Sequence, residues 1–139
     1  MFASYSADGV TYTRAGRVLP FFPDNPVVVH WDGRISKYVV YTRAFDYDWG
    51  NQRRVGRIVV DDPLKPWPYT RTAKDRTFPP IRNLPVVSSA DKGDDPHSDV
   101  YYSAAGPYPW ADGVYLMFPA HFRHFSPDRH PFVRPRVKG

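Results

Sequence analysis

Apolar and aromatic residues along this chain come in short runs, each closed by Gly, Pro or Asp, which is the punctuation of strands and turns rather than of helices. The clearest unit is DVYYSAAGPYPWADGVYLMFPAHF, from Asp99 to Phe122. Val100 to Ala104 is rich in the branched and aromatic side chains that suit a pleated surface, and Gly106, Pro107, Pro109, Asp112 and Gly113 supply turn geometry. The stretch predicts a β-hairpin. Its second half, Val114 to Phe118, is apolar without a break, which predicts a strand buried on both faces with layers above and below it.

The same order, strand, turn, strand, recurs upstream. Val27 to Trp31 predicts a short strand, Asp32-Gly33 a turn, and Lys37 to Phe45 a longer strand; Val55 to Val60 predicts another, alternating Val55, Arg57, Val59 against Gly56, Ile58, Val60. Phe2 to Arg14 predicts a hairpin, with Asp8-Gly9 as a type I′ turn signal. Between the hairpins, Pro20, Pro23 and Pro26 break regular structure while Phe21 and Phe22 anchor the loop to a core. Pro66 to Tyr69 reads as an edge strand or an extended aromatic segment, and Leu84 to Ser88 as a short strand inside a long connection. Phe125 to Gly139 carries cations and prolines and no convincing element.

Composition sharpens this picture. With 16 prolines and 9 glycines in 139 residues, no window holds a capped helical period, and almost no helix is expected. A 42% hydrophobic and 17% aromatic content suffices for the core of one domain. All 14 acidic residues are aspartates, which favour turns and caps over helix interiors. The formal charge of +5 is scattered along the chain rather than gathered into a run, unlike the basic face of a nucleic-acid binder. No segment has the roughly 18 apolar residues of a membrane span, no signal peptide is visible, and there is no cysteine for a disulfide or thiolate metal site.

DNPVVVHWD, GRISKYVVYTRAFD, RRVGRIVVDD, DDPHSDVYYSAAGPYPWADGVYLMFPAHFRH and the opening SADGVTYTR together resemble successive blade segments of the five-bladed β-propeller superfamily of glycoside hydrolases. That superfamily includes families 32 and 43; the texture is most similar to uncharacterised bacterial proteins described as "glycosyl hydrolase family 32 N-terminal-like". SADGVTYTR resembles the aspartate-box turn of sialidase propellers, with Tyr12 near the place of its tryptophan. The resemblance implies an all-β fold of antiparallel four-stranded blades, about two blades of a propeller. Residues 1–16 would end one blade, 24–90 form a complete one, and 95–139 start the next. A ring of blades of ~40–50 residues each takes more chain than 139 residues, so a partial propeller, a fragment, is expected.

In such propellers the innermost strands present carboxylates to a central funnel, and cleavage needs two carboxyls at a fixed separation, one of them protonated. Asp24 and Asp99 stand at the innermost strand of each unit and form the candidate catalytic pair; the competing reading is that both are turn or strand-start aspartates bonded to backbone. No glutamate is present to act as the general acid, so catalysis is expected to be incomplete. Arg43 and His121 are candidate substrate contacts, and Trp49, Tyr101 and Trp110 candidate stacking platforms for a sugar. HFRH at 121–124 invites a metal reading, but a spacing of three on a strand puts its histidines on opposite faces, and DKGDDPHSD lacks the order of a calcium loop. No metal and no cofactor is expected. The sequence reading is therefore a carbohydrate-active propeller segment; the alternative is a non-enzymatic module that binds carbohydrate or protein, self-associating through exposed blade edges.

Overall fold

The structure, a computed structural model, describes residues 1–24, 27–47, 52–75, 79–80, 84–95 and 97–124. Its strands are β1 (Phe2–Tyr5), β2 (Thr13–Arg17), β3 (Val28–Asp32), β4 (Lys37–Asp46), β5 (Gln52–Val60), β6 (Val86–Ser88), β7 (Ser98–Pro107) and β8 (Tyr115–Arg123). Among the described residues there is no helix. β1 and β2 form one antiparallel pair, β3 to β6 a four-stranded antiparallel meander in chain order, and β7 and β8 a second pair. The fold is all-β and antiparallel, and its sheets do not close into a ring.

The meander is the middle layer. Alternation along β4 and β5 sends Val40, Ala44, Ile58 and Val60 to one face, where Val18, Leu19, Phe21, Trp67 and Leu84 cover them. Val39, Tyr41 and Val55 point to the other face, against Val100 and Ala105 of β7 and Met117 of β8. Gly56 is small because Leu84 lies over it: a Cβ there would stand 3.1 Å from that of Leu84. Trp67 belongs to no strand; Pro63 accepts its indole N–H at 3.3 Å and Val18 its backbone N–H at 2.8 Å, so the aromatic segment is a buried anchor rather than a sheet edge.

Two expectations are corrected. The first hairpin does not turn in two residues at Asp8-Gly9. Its strands end at Tyr5 and resume at Thr13, because the Asp8 carboxylate accepts the backbone amides of Val10 and Thr11, both at 2.8 Å, and so closes a wider loop. Those amides, Thr11 first, with the Ser6 hydroxyl, hold the Asp8 carboxyl well below the ordinary carboxylate range. Gly9, at φ 75°, supplies the left-handed residue the loop requires.

The strand buried on both faces is β4, not the Val114–Phe118 run. Among the described residues β8 pairs only with β7, and their two-stranded sheet covers the meander with a single face, so Met117 turns inward while Phe118 is left 71% exposed. An unbroken apolar run marks a covered strand only where a layer exists on each side, and here the outer layer is absent among the described residues. Ile58→Ala should therefore cost about 2–5 kcal/mol, the range for a large-to-small core change, and Phe118→Ser only about 0.5 kcal/mol or less, as read from urea unfolding midpoints.

Candidate functional site

The seam between the meander and the β7–β8 hairpin gathers most of the chemistry. At its open end, where β7 begins, Asp99 is 1% exposed. Its Oδ2 accepts the Arg53 backbone N–H at 3.2 Å and the Arg53 guanidinium at 3.0 Å, and lies 3.1 Å from His124 Nε2. Its Oδ1 is buried with no hydrogen-bond partner among the described residues. Arg43, on β4, is buried too: one guanidinium nitrogen pairs with Asp24 and another donates to the Tyr101 carbonyl at 3.0 Å. Asp24 itself sits at φ 65°, a left-handed conformation that Asp tolerates.

The Tyr101 ring binds this end together. Arg43 stands over it at 4.3 Å and Arg53 at 5.5 Å, and Phe122 stacks on it at 5.3 Å, so guanidinium and aromatic neighbours already occupy the ring. Asp24 and Asp99, the candidate pair, thus meet Arg43 and Tyr101 in one cluster, each carboxylate on its own arginine. Arg53, Phe122 and His124 belong to it as well and were not singled out as site residues. The missed signal was charge complementarity between two motifs read apart: Asp94, Asp95 and Asp99 face His121 (3.8 Å), Arg123 (2.6 Å) and His124 (3.1 Å) in turn. His121 and His124 thereby go to different carboxylates, and among the described residues no group of three or more potential ligands could hold a metal ion.

At the turn end the seam is different. Val28 of β3 and the residues around the hairpin turn, including Ala105, Pro107, Tyr108, Trp110, Leu116 and Phe118, line an open groove of about 440 Å³. Trp110 is 81% exposed, and its ring meets that of Tyr108 edge-on at 5.4 Å and 70°. The turn is pinned from behind: the Tyr115 hydroxyl donates to Asp32, Arg34 lies over the Tyr115 ring at 4.5 Å, and Asp32 Oδ1 accepts the Arg34 amide at 3.1 Å. The Tyr115 hydrogen bond is the main reason the Asp32 carboxyl titrates below its ordinary range. Trp110 is thus placed in a groove apart from the Asp24 and Asp99 cluster, His121 stands at the far end of β8, and Trp49 lies outside the described residues.

Compared with protein-family models, curated proteins and solved structures, the chain gives no significant match. The functional reading rests on the geometry above.

That geometry gives the Asp99 carboxylate a structural duty that can be measured. Removing one partner of a buried ion pair costs 3–5 kcal/mol, and because water reaches the Arg53 side chain in part, Asp99→Asn should lose about 2–3 kcal/mol in denaturant unfolding. An Asp99→Asn variant as stable as the parent would show that the cluster does not hold the hairpin down.

Proposed function

We propose that this chain is a carbohydrate-binding β module with the layered blades of a glycoside-hydrolase-type propeller, and that it holds sugar without cleaving it. The observation that carries the reading is the groove with Trp110 at its mouth. A pyranose presents an apolar C–H face that lies on an exposed indole, and Phe118 and Leu116 extend the platform. Among the described residues β7 pairs only with β8, so its other edge leaves backbone donors and acceptors beside the groove for hydroxyl groups. The blade layout is supported by the β7–β8 hairpin packed face to face on the four-stranded meander, whose other face is covered by Val18, Leu19, Phe21, Trp67 and Leu84.

Cleavage is left out of the proposal for a chemical reason. Hydrolysis needs two carboxyls aimed at one bond, one of them carrying a proton for the leaving group. Asp24 and Asp99 each turn an oxygen to an arginine instead, and no glutamate stands in for either. A second reading, in which the edge of β8 that is unpaired among the described residues pairs with another chain, is favoured by one observation, the exposure of Phe118 on that strand. It requires a mass that rises with concentration in light scattering, and Phe118→Lys would abolish that rise.

The test of the carbohydrate reading is gel retardation and calorimetry with neutral polysaccharides such as arabinan, fructan and β-glucan. Binding without release of reducing ends is expected, and Trp110→Ala should weaken it about ten-fold, the equivalent of ~1.4 kcal/mol of lost stacking. If none of these polymers binds, or if Trp110→Ala binds as the parent does, the reading fails.

A further inference from the structure

We infer that the groove is gated by acid: protonation of His30 loosens the turn end of the β7–β8 hairpin from the meander and takes the groove apart. The sugar-release half of this inference rests on the carbohydrate reading above; the structural half does not.

His30 lies within β3, opposite Val39, in the seam itself. Its imidazole stacks on Tyr41 of β4 at 5.8 Å and 22°, and faces Tyr115 of β8 at 6.2 Å. Both ring nitrogens are out of water, and neither has a hydrogen-bond partner among the described residues. A neutral imidazole is tolerable there, but an imidazolium needs two acceptors. Among the described residues the ionisable neighbours are Asp32 on β3, Tyr41 on β4, Arg57 on β5, Tyr115 on β8 and Arg34 in the turn after β3. β7 contributes no titratable group between Ser103 and Pro107. Asp32 is the one carboxylate of this set, and its oxygens already accept the Tyr115 hydroxyl and the Arg34 amide.

Burial therefore lowers the affinity of His30 for a proton, Arg57 lowers it further, and Asp32 opposes only in part. The sign follows. With the folded value below the ordinary 6.5, the stabilisation is complete above about pH 6.5 and is lost as pH falls through that value toward the folded one.

The strain is delivered to the groove. Val28, which lines it, is two residues from His30 on the same strand, and Tyr115 opens β8 just after the turn that carries Trp110. An imidazolium that seeks water pushes Tyr115 off the sheet and breaks its bond to Asp32. The other end of the hairpin stays tied through Asp99 with Arg53 and through Arg43 with the Tyr101 carbonyl. Opening is thus local to the turn.

Amide hydrogen exchange at pH 7.5 and 5.5, corrected for intrinsic rates, tests this without any ligand. Amides between 105 and 118 should lose protection several-fold at pH 5.5 while those of β4 and β5 keep theirs, and His30→Phe should remove the difference. Equal hairpin protection at both pH values overturns the inference. Should His30→Phe not fold, NMR titration of the His30 ring in the parent chain decides, since a value at or above 6.5 also overturns it. With a polysaccharide bound at pH 7.5, affinity should fall on acidification by up to about ten-fold per pH unit. Failure of every polysaccharide to bind at pH 7.5 would sink the carbohydrate reading alone and leave the exchange result standing.

Discussion

Nearly everything in this structure depends on β4 having no side that faces water. From Val39 to Asp46 the strand is buried residue by residue, laterally by β5 along its length and by β3 as far as Tyr41, and vertically between two apolar clusters. A strand in that position sets the register of its neighbours, because a slip of one residue would exchange the two cores and bring Arg43 among Leu19, Trp67 and Leu84. The N-terminal segment and the C-terminal hairpin have no cores of their own to speak of. Each is held by what it buries against the meander.

The second consequence is electrical. A doubly covered strand that contains an arginine must provide for it, and Arg43 is provided for by Asp24, by the Tyr101 carbonyl and by the Tyr101 ring. Arg53, opposite Phe45 and two pairs further along the same ladder, is provided for by Asp99. Such pairs add little net stability over well-packed apolar residues, yet losing one partner is costly. They therefore act as locks on the docking of the hairpin rather than as sources of its binding energy. The same engagement removes Asp24, Asp99 and Tyr101 from easy service as a reactive or stacking surface, and leaves the aromatic turn as the part of the seam that faces solvent.

The two ends of the seam differ in what holds them. The open end is fastened by charge and by guanidinium-aromatic contact, whereas the turn end is fastened by a tyrosine hydroxyl, an aspartate and a histidine with no partner for either nitrogen among the described residues. A hairpin anchored firmly at one end and conditionally at the other can open a groove without unfolding the domain. That asymmetry links the packing of the molecule to its proposed use.

Strand positions, the absence of helix among the described residues and the antiparallel hairpins were legible in the sequence because each rests on local physics: alternation, β-branched and aromatic runs, and Gly, Pro and Asp at the turns. Asp24 and Asp99 read as a pair, and Arg43 and Tyr101 singly, as charged or aromatic residues at strand positions, but nothing local says that two arginines and the Tyr101 ring stand between the carboxylates. Which apolar run is covered twice was not legible either, since KYVVYTRAF carries a charge and VYLMF does not; the layers that bury the first and bare the second come from residues far along the chain. His30 looked like any other strand residue. By itself the sequence determined the local conformations and the stock of side chains; only the tertiary structure decided which of them share a face, because burial and charge pairing are set by contacts between segments that local pattern does not encode.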